Sequence, residues 1–428
     1  MAGVRVTTSL RRAAGSLLVV GLGGTELASL ERAWLKLVRP AGVILFRRNI
    51  VDAGQTRALL QEAAGLCCED GLRCVDVEGG TVDRLRDALA PMPSAQAVAR
   101  AGANQRGRQD SRVPTHSQQS HEAGSSTPLR VAQKNGAQNL VGSSAEAGRG
   151  SRDPRSPSAR DRGHPIGLAF EHGELVARGV KAFGFNATLA PVLDLALPDS
   201  AVVMGTRSAA PDASGVTAYA RGFLAGLAAE GVVGCGKHFP GLGGGTLDSH
   251  LETPAIGRSW KALWREDLAP YRELRDELPM VMVSHAAFPG TAGRERPASV
   301  SPFWIEKVLR KRIGYRGIVF SDDLEMGGIL KFMPMEEAVV AAVRAGMDLM
   351  EICHSPELIL RAYEALIAEG ERSVKFREML LARAKQTGRQ RSKLFAGGVP
   401  RALTEKQFGA LRTRIVRFGE RVAKGQPA

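Results

Sequence analysis

Short apolar runs rich in β-branched residues recur along the chain, each followed by a stretch with apolar positions at helical spacing. They are Leu17 to Leu22, Val43 to Phe46, Leu72 to Val77, Thr188 to Leu193, Val232 to Lys237, Met280 to Ser284, Ile318 to Ser321 and Asp348 to Cys353. Strand-length runs alternating with helices mark parallel βα units. Eight of them predict a (β/α)8 TIM-type barrel, class α/β, rather than an open doubly wound sheet. A length of 428 residues fits one such domain with extensions.

One stretch breaks the rhythm. Residues 101 to 163 are Ser, Arg, Gln, Gly and Ala with few aliphatics and no aromatics. Such a segment buries too little apolar surface to offset its ordering entropy, so a disordered insertion is expected there, with His116 and His121 as spacer residues. The predicted layout is a barrel over 1–100 and 164–370, the insertion at 101–163, and a basic helical extension at 371–428.

The net charge of +14 first suggests nucleic acid, but its distribution removes that reading. The insertion carries +5 and the extension +11, and subtracting both leaves about −2 on the presumed barrel. With aromatics at 5% there is little to stack bases on, so no nucleic-acid partner is expected. No apolar run reaches the roughly 18 residues of a membrane span. Arg11 and Arg12 before the apolar run to Val20 loosely imitate a signal peptide, yet no small-x-small site follows, and the run reads better as the first strand. Five cysteines, an odd number with Cys67 and Cys68 adjacent, argue against a disulfide framework and for a reduced, cytoplasmic setting.

A barrel places its chemistry at the C-terminal ends of its strands. Asp76 follows the third run, Asp194 the fourth, Lys237 and His238 close the fifth, His285 the sixth, and Asp322 and Asp323 the seventh. One Asp or His at a strand end is commonly a cap; a succession of them points to a site. The densest segment is KHFPGLGGGTLDSHLETP at 237 to 254, whose glycines between Gly241 and Gly245 suit a loop folding over a pocket. Asp248 and His250 lie two apart in it, where a carboxylate can orient an imidazole, although a turn Asp beside a surface His has the same spacing. His238, Asp248 and His250 could also be considered as zinc ligands, but the helical H-E-x-x-H pair is missing and no metal or other cofactor is expected.

Taken together, GVILFRRN at 42–49, VDVEGGTVDRLR at 75–86, LAPVLDL at 189–195, GTRS at 205–208, KHFPG with DSH at 237–250, and RPASVSP then GIVFSDDLEM at 296–326 resemble the bacterial β-N-acetylhexosaminidases of glycoside hydrolase family 3, the NagZ type of cell-wall recycling. The resemblance implies a retaining exo-β-N-acetylglucosaminidase in which Asp322 is the nucleophile and Asp323 a supporting residue. It further implies that His250 is the acid/base, oriented by Asp248, and that Asp76, Arg84, Arg207, Lys237 and His238 bind the sugar. The implied partner is a small carbohydrate or muropeptide, acted on by a monomer. A family 3 β-glucosidase would carry a second α/β domain, for which the chain has no room after about residue 370, and a catalytically weakened sugar-binding barrel is the other alternative. The chain departs from the family's KHFPGHG with Leu242 and Gly244, and has Thr81 after the EGG motif. Were His250 not the acid/base, the remaining carboxyl candidates would be Glu78, Glu252 and Glu325.

Overall fold

The computed structural model describes residues 2–110, 165–245, 253–294, 296–396 and 398–425. Ten strands run along it: β1 (Leu18–Gly21), β2 (Gly42–Leu45), β3 (Leu72–Val75), β4 (Val77–Gly79), β5 (Val82–Asp83), β6 (Ala187–Thr188), β7 (Val233–Phe239), β8 (Met280–Val283), β9 (Ile318–Asp323) and β10 (Leu349–Ile352). Eight of these close a parallel barrel in which β10 pairs with both β9 and β1, while β4 and β5 form a separate antiparallel hairpin.

Period-two alternation sorts the strand residues between two cores. Val19, Ile44, Cys74, Cys235, Met280, Met282, Ile318 and Phe320 fill the lumen, and their neighbours Leu18, Val20, Val43, Val281 and Val319 join the larger layer beneath the helices. The fourth apolar run forms a ladder only at Ala187–Thr188, with one further bridge from Val192 to Lys237, because Pro191 between them has no N–H to donate. All five cysteines are free thiols.

The structure adds to the sequence expectation at two places. Residues 101 to 110, assigned to the insertion, continue the helix Ala95–Asp110. Ala101 is fully buried and Asn104 Nδ2 donates to Gly425 O at 2.7 Å, so tertiary packing holds a turn that composition alone would leave loose. The rest of that expected insertion, 111 to 163, lies outside the described residues. The basic extension is part of the globule: in the helices Val374–Leu394 and Glu405–Lys424, Phe376, Leu380, Leu411, Ile415, Phe418 and Val422 enter the main core. Phe395 belongs to the lumen cluster and closes the barrel's N-terminal end.

Candidate active site

At the opposite, C-terminal end of the barrel lies a cavity of about 400 Å3. Its polar wall starts from the β4–β5 hairpin. Gly79 adopts φ +88, and a Cβ there would stand 2.1 Å from Pro93 O, so the EGG motif is dictated by close backbone approach. This tight turn brings Glu78 beside Asp76 and over β7.

Lys237 on β7 is the hub. Its Nζ lies 2.8 Å from Asp76 Oδ1 and 2.6 Å from Glu78 Oε1, and Arg207 Nε and Nη2 donate to the two oxygens of Glu78 at 2.8 and 2.9 Å. Burial alone would raise the Glu78 carboxyl, but Arg207 and Lys237 outweigh it and hold it well below the usual carboxylate range. Lys237, whose burial opposes its charge, is pushed up instead by Asp76 and Glu78. Arg84 Nη2 approaches Asp76 Oδ2 at 3.9 Å and its guanidinium also lies 5.8 Å from the Phe46 ring centre.

His238 is next in the chain and joined to Lys237 by a cis peptide. Its Nδ1 donates to Asp194 Oδ2 at 2.6 Å, leaving Nε2 to face the Arg207 donor Nη2 at 3.4 Å. Asp194 also accepts the backbone N–H of His238 at 3.2 Å and of Leu242 at 2.7 Å, which fixes where the glycine loop leaves the strand. Leu242 is thereby buried against the cavity, and Gly244 sits where a Cβ would stand 2.7 Å from the Arg258 side chain.

Asp322 and Asp323 end β9 and both line the cavity. Their environments push them apart. Burial opposes ionisation of Asp322, yet His238, His285 and Lys237 overcome it, and its pKa is lowered. Asp323 is pushed up to about 7 by burial, with Glu325 and Asp322 adding to the rise. His285 holds this corner: its Nε2 donates to Asp323 O at 2.9 Å, and its Nδ1 lies 2.7 Å from Ser299 Oγ.

The expected sugar-binding residues Asp76, Arg84, Arg207, Lys237 and His238 therefore line one cavity with Asp322. Asp248 and His250 fall within 246–252, outside the described residues; just past them, Thr253 Oγ1 donates to Gly328 O at 2.6 Å. Of the substitute acid/base candidates, Glu78 is held ionised by two cations. Glu325 is committed to the backbone N–H groups of Cys353, His354 and Ser355. Glu252 is outside the described residues.

Several wall residues escaped sequence reasoning. Glu351 lies within the apolar run of β10, where burial pushes it well above its usual value, and it accepts the Cys353 thiol at 2.9 Å. A charged residue inside such a run was the available signal. His354 follows and stacks on Phe46 with ring centres 5.4 Å apart. Asp323, Glu325 and His354 place ligand atoms within 4.8 Å of one another and are the group among the described residues able to hold a metal ion, although the Glu325 oxygens already serve backbone donors.

Residues 141–381 match the glycosyl hydrolase family 3 N terminal domain. The β-hexosaminidase of Alkalilimnicola ehrlichii is 34% identical over 343 residues, covering 80% of this chain and 82% of that one. Among solved structures, the family 3 β-N-acetylglucosaminidase of Paenibacillus sp. str. FPU-7 superposes with a TM-score of 0.73 at 27% identity, covering 96% of this chain and 68% of that one. NagZ from Neisseria gonorrhoeae in complex with N-trifluoroacetyl-D-glucosamine superposes at 0.66 with 25% identity, covering 96% and 98%. The chain belongs to the β-hexosaminidases of glycoside hydrolase family 3.

Proposed function

We propose that the protein is a retaining exo-β-N-acetylglucosaminidase that removes non-reducing terminal GlcNAc from peptidoglycan-derived fragments. The observation that carries this reading is the pairing of an ionised carboxylate, Asp322, with the Asp76, Lys237, Glu78 and Arg207 network across one small cavity. Fixed donors and acceptors of that density suit the hydroxyls and carbonyl of a polar pyranose. Asp322 attacks the anomeric carbon while His250 gives its proton to the departing oxygen, producing a covalent glycosyl-enzyme. Water, deprotonated by the same imidazole, then displaces Asp322 and restores the starting configuration.

Asp76, paired with Lys237, receives sugar hydroxyls, Arg84 and Arg207 donate to sugar oxygens, and Asp248 orients His250. The reaction as proposed uses no metal or organic cofactor, and the enzyme acts as a cytoplasmic monomer. Among the described residues no helix is long and apolar enough to cross a membrane. The test is hydrolysis of a 4-nitrophenyl GlcNAc β-glycoside followed by proton NMR. The β-anomer of GlcNAc is expected first; the α-anomer first would reject retention, and inertness toward this glycoside would reject the activity.

A further inference from the structure

At the barrel's N-terminal end, away from the catalytic cavity, a groove of about 900 Å3 runs between the helices Ala2–Gly15 and Val374–Leu394. Three guanidinium groups line it: Arg12, Arg39 and Arg391. Glu69 is the one acidic lining residue. Arg12 and Arg39 are exposed, and neither side chain has a hydrogen-bond or carboxylate partner among the described residues. Arg391 is 5% exposed; its Nη1 donates to Ala41 O at 3.1 Å, while its Nε is buried without an acceptor.

A buried guanidinium N–H normally finds an oxygen, because leaving it unmade costs more than a hydrogen bond returns. Two further guanidinium groups without a carboxylate partner among the described residues line the same groove, and a guanidinium is the side chain whose donors best match a phosphoryl group. We propose that this groove binds the phosphoryl group of a soluble phosphorylated small molecule, with Arg391 at the back and Arg12 and Arg39 on the flanks. The recess favours this occupant over a lipid headgroup, since Arg391 lines its interior and a small anion can enter where a bilayer surface cannot.

The test titrates the full chain with inorganic phosphate and with pyrophosphate at constant ionic strength, by calorimetry and thermal unfolding. Saturable binding is expected with Kd below about 1 mM, and the melting temperature should rise with ligand as mass action requires. Arg12→Ala with Arg39→Ala should weaken binding at least ~10-fold, the equivalent of one decade in Kd. Hydrolysis of the aryl glycoside should be unchanged in that variant, which also reports that it is folded. Arg391→Lys, which keeps the charge but removes the planar guanidinium fork, should weaken binding as well. Absence of binding at 10 mM phosphate, or equal affinity in the double variant, overturns the proposal. Binding to phosphatidylglycerol vesicles without binding of free phosphate overturns the choice of occupant.

Discussion

Asp194 and His238 are joined twice, through a 2.6 Å contact from the ring Nδ1 and a 3.2 Å contact from the backbone N–H, and the same carboxylate reaches Leu242 N. One residue thus sets the His238 tautomer and anchors the first turn of the glycine loop. Asp194→Asn should lower kcat/KM by about 10²-fold, by analogy with lost outer partners of functional imidazoles, while the protein stays folded. Kinetics with circular dichroism check this; wild-type kcat/KM would show that the loop needs no such anchor.

Glu78 sits between Arg207 and Lys237, all three largely buried. Glu78→Gln leaves two cations facing one carboxylate and should destabilise the fold by about 3–5 kcal/mol, the usual cost of breaking a buried pair from one side. Urea unfolding measures it. The folded pKa of Glu78 is depressed, so its contribution is present above about pH 4.5 and fades as pH falls below that.

Asp322→Ala should lose several orders of magnitude in turnover without unfolding, whereas Asp323→Ala should keep measurable activity. The reverse outcome exchanges their roles. Asp323 has the opposite linkage: with a folded value near 7 against 3.8, the native state binds the extra proton, so its cost is absent below about pH 4 and grows up to pH 7. Relative to wild type, Asp323→Asn should therefore gain stability as pH rises from 4.5 to 7.5, as read by thermal unfolding at both pH values.

His250→Ala should cripple cleavage of a natural disaccharide far more than of a nitrophenyl glycoside, because an activated leaving group needs no proton. Azide should restore turnover on the activated substrate and yield a β-glycosyl azide. Equal losses on both substrates with no azide rescue would move His250 out of the acid/base role; among the described residues, neither Glu78 nor Glu325 is then available to replace it.

Excision of residues 111–162 with a short Gly/Ser bridge should leave kcat and the melting temperature nearly unchanged. Starting the cut at 104 should instead cost about 1 kcal/mol or more, since it removes the Asn104 contact to Gly425 and the end of the Ala95–Asp110 helix. Similar melting temperatures for the two deletions would count against that contact.

Seven barrel strands were legible because alternation in runs such as Leu18-Val19-Val20 serves two cores at once, while the fourth run meets its ladder only at Thr188, and the polar residues at the strand ends converge because the barrel directs them there. The β4–β5 hairpin was not legible. Glu78 reaches Lys237 from this hairpin, a tertiary event with no periodic signal. Nor could composition reveal that residues 101–110 continue a helix, since Ala101 and Asn104 are held by the far end of the chain. The stack of His354 on Phe46 likewise joins the ends of distant strands, a pairing that exists only once the barrel closes.

Phe395 sits in the lumen cluster, well after the last barrel strand ends at Ile352. On the ribosome, a nascent chain that has already released all eight barrel strands still has its lower lumen exposed to water. Completion waits for another forty or so residues, a few seconds at ordinary elongation rates. During that interval the apolar lumen is open to chaperones and to other unfinished chains, and a stop codon anywhere between Ile352 and Phe395 would leave it so permanently.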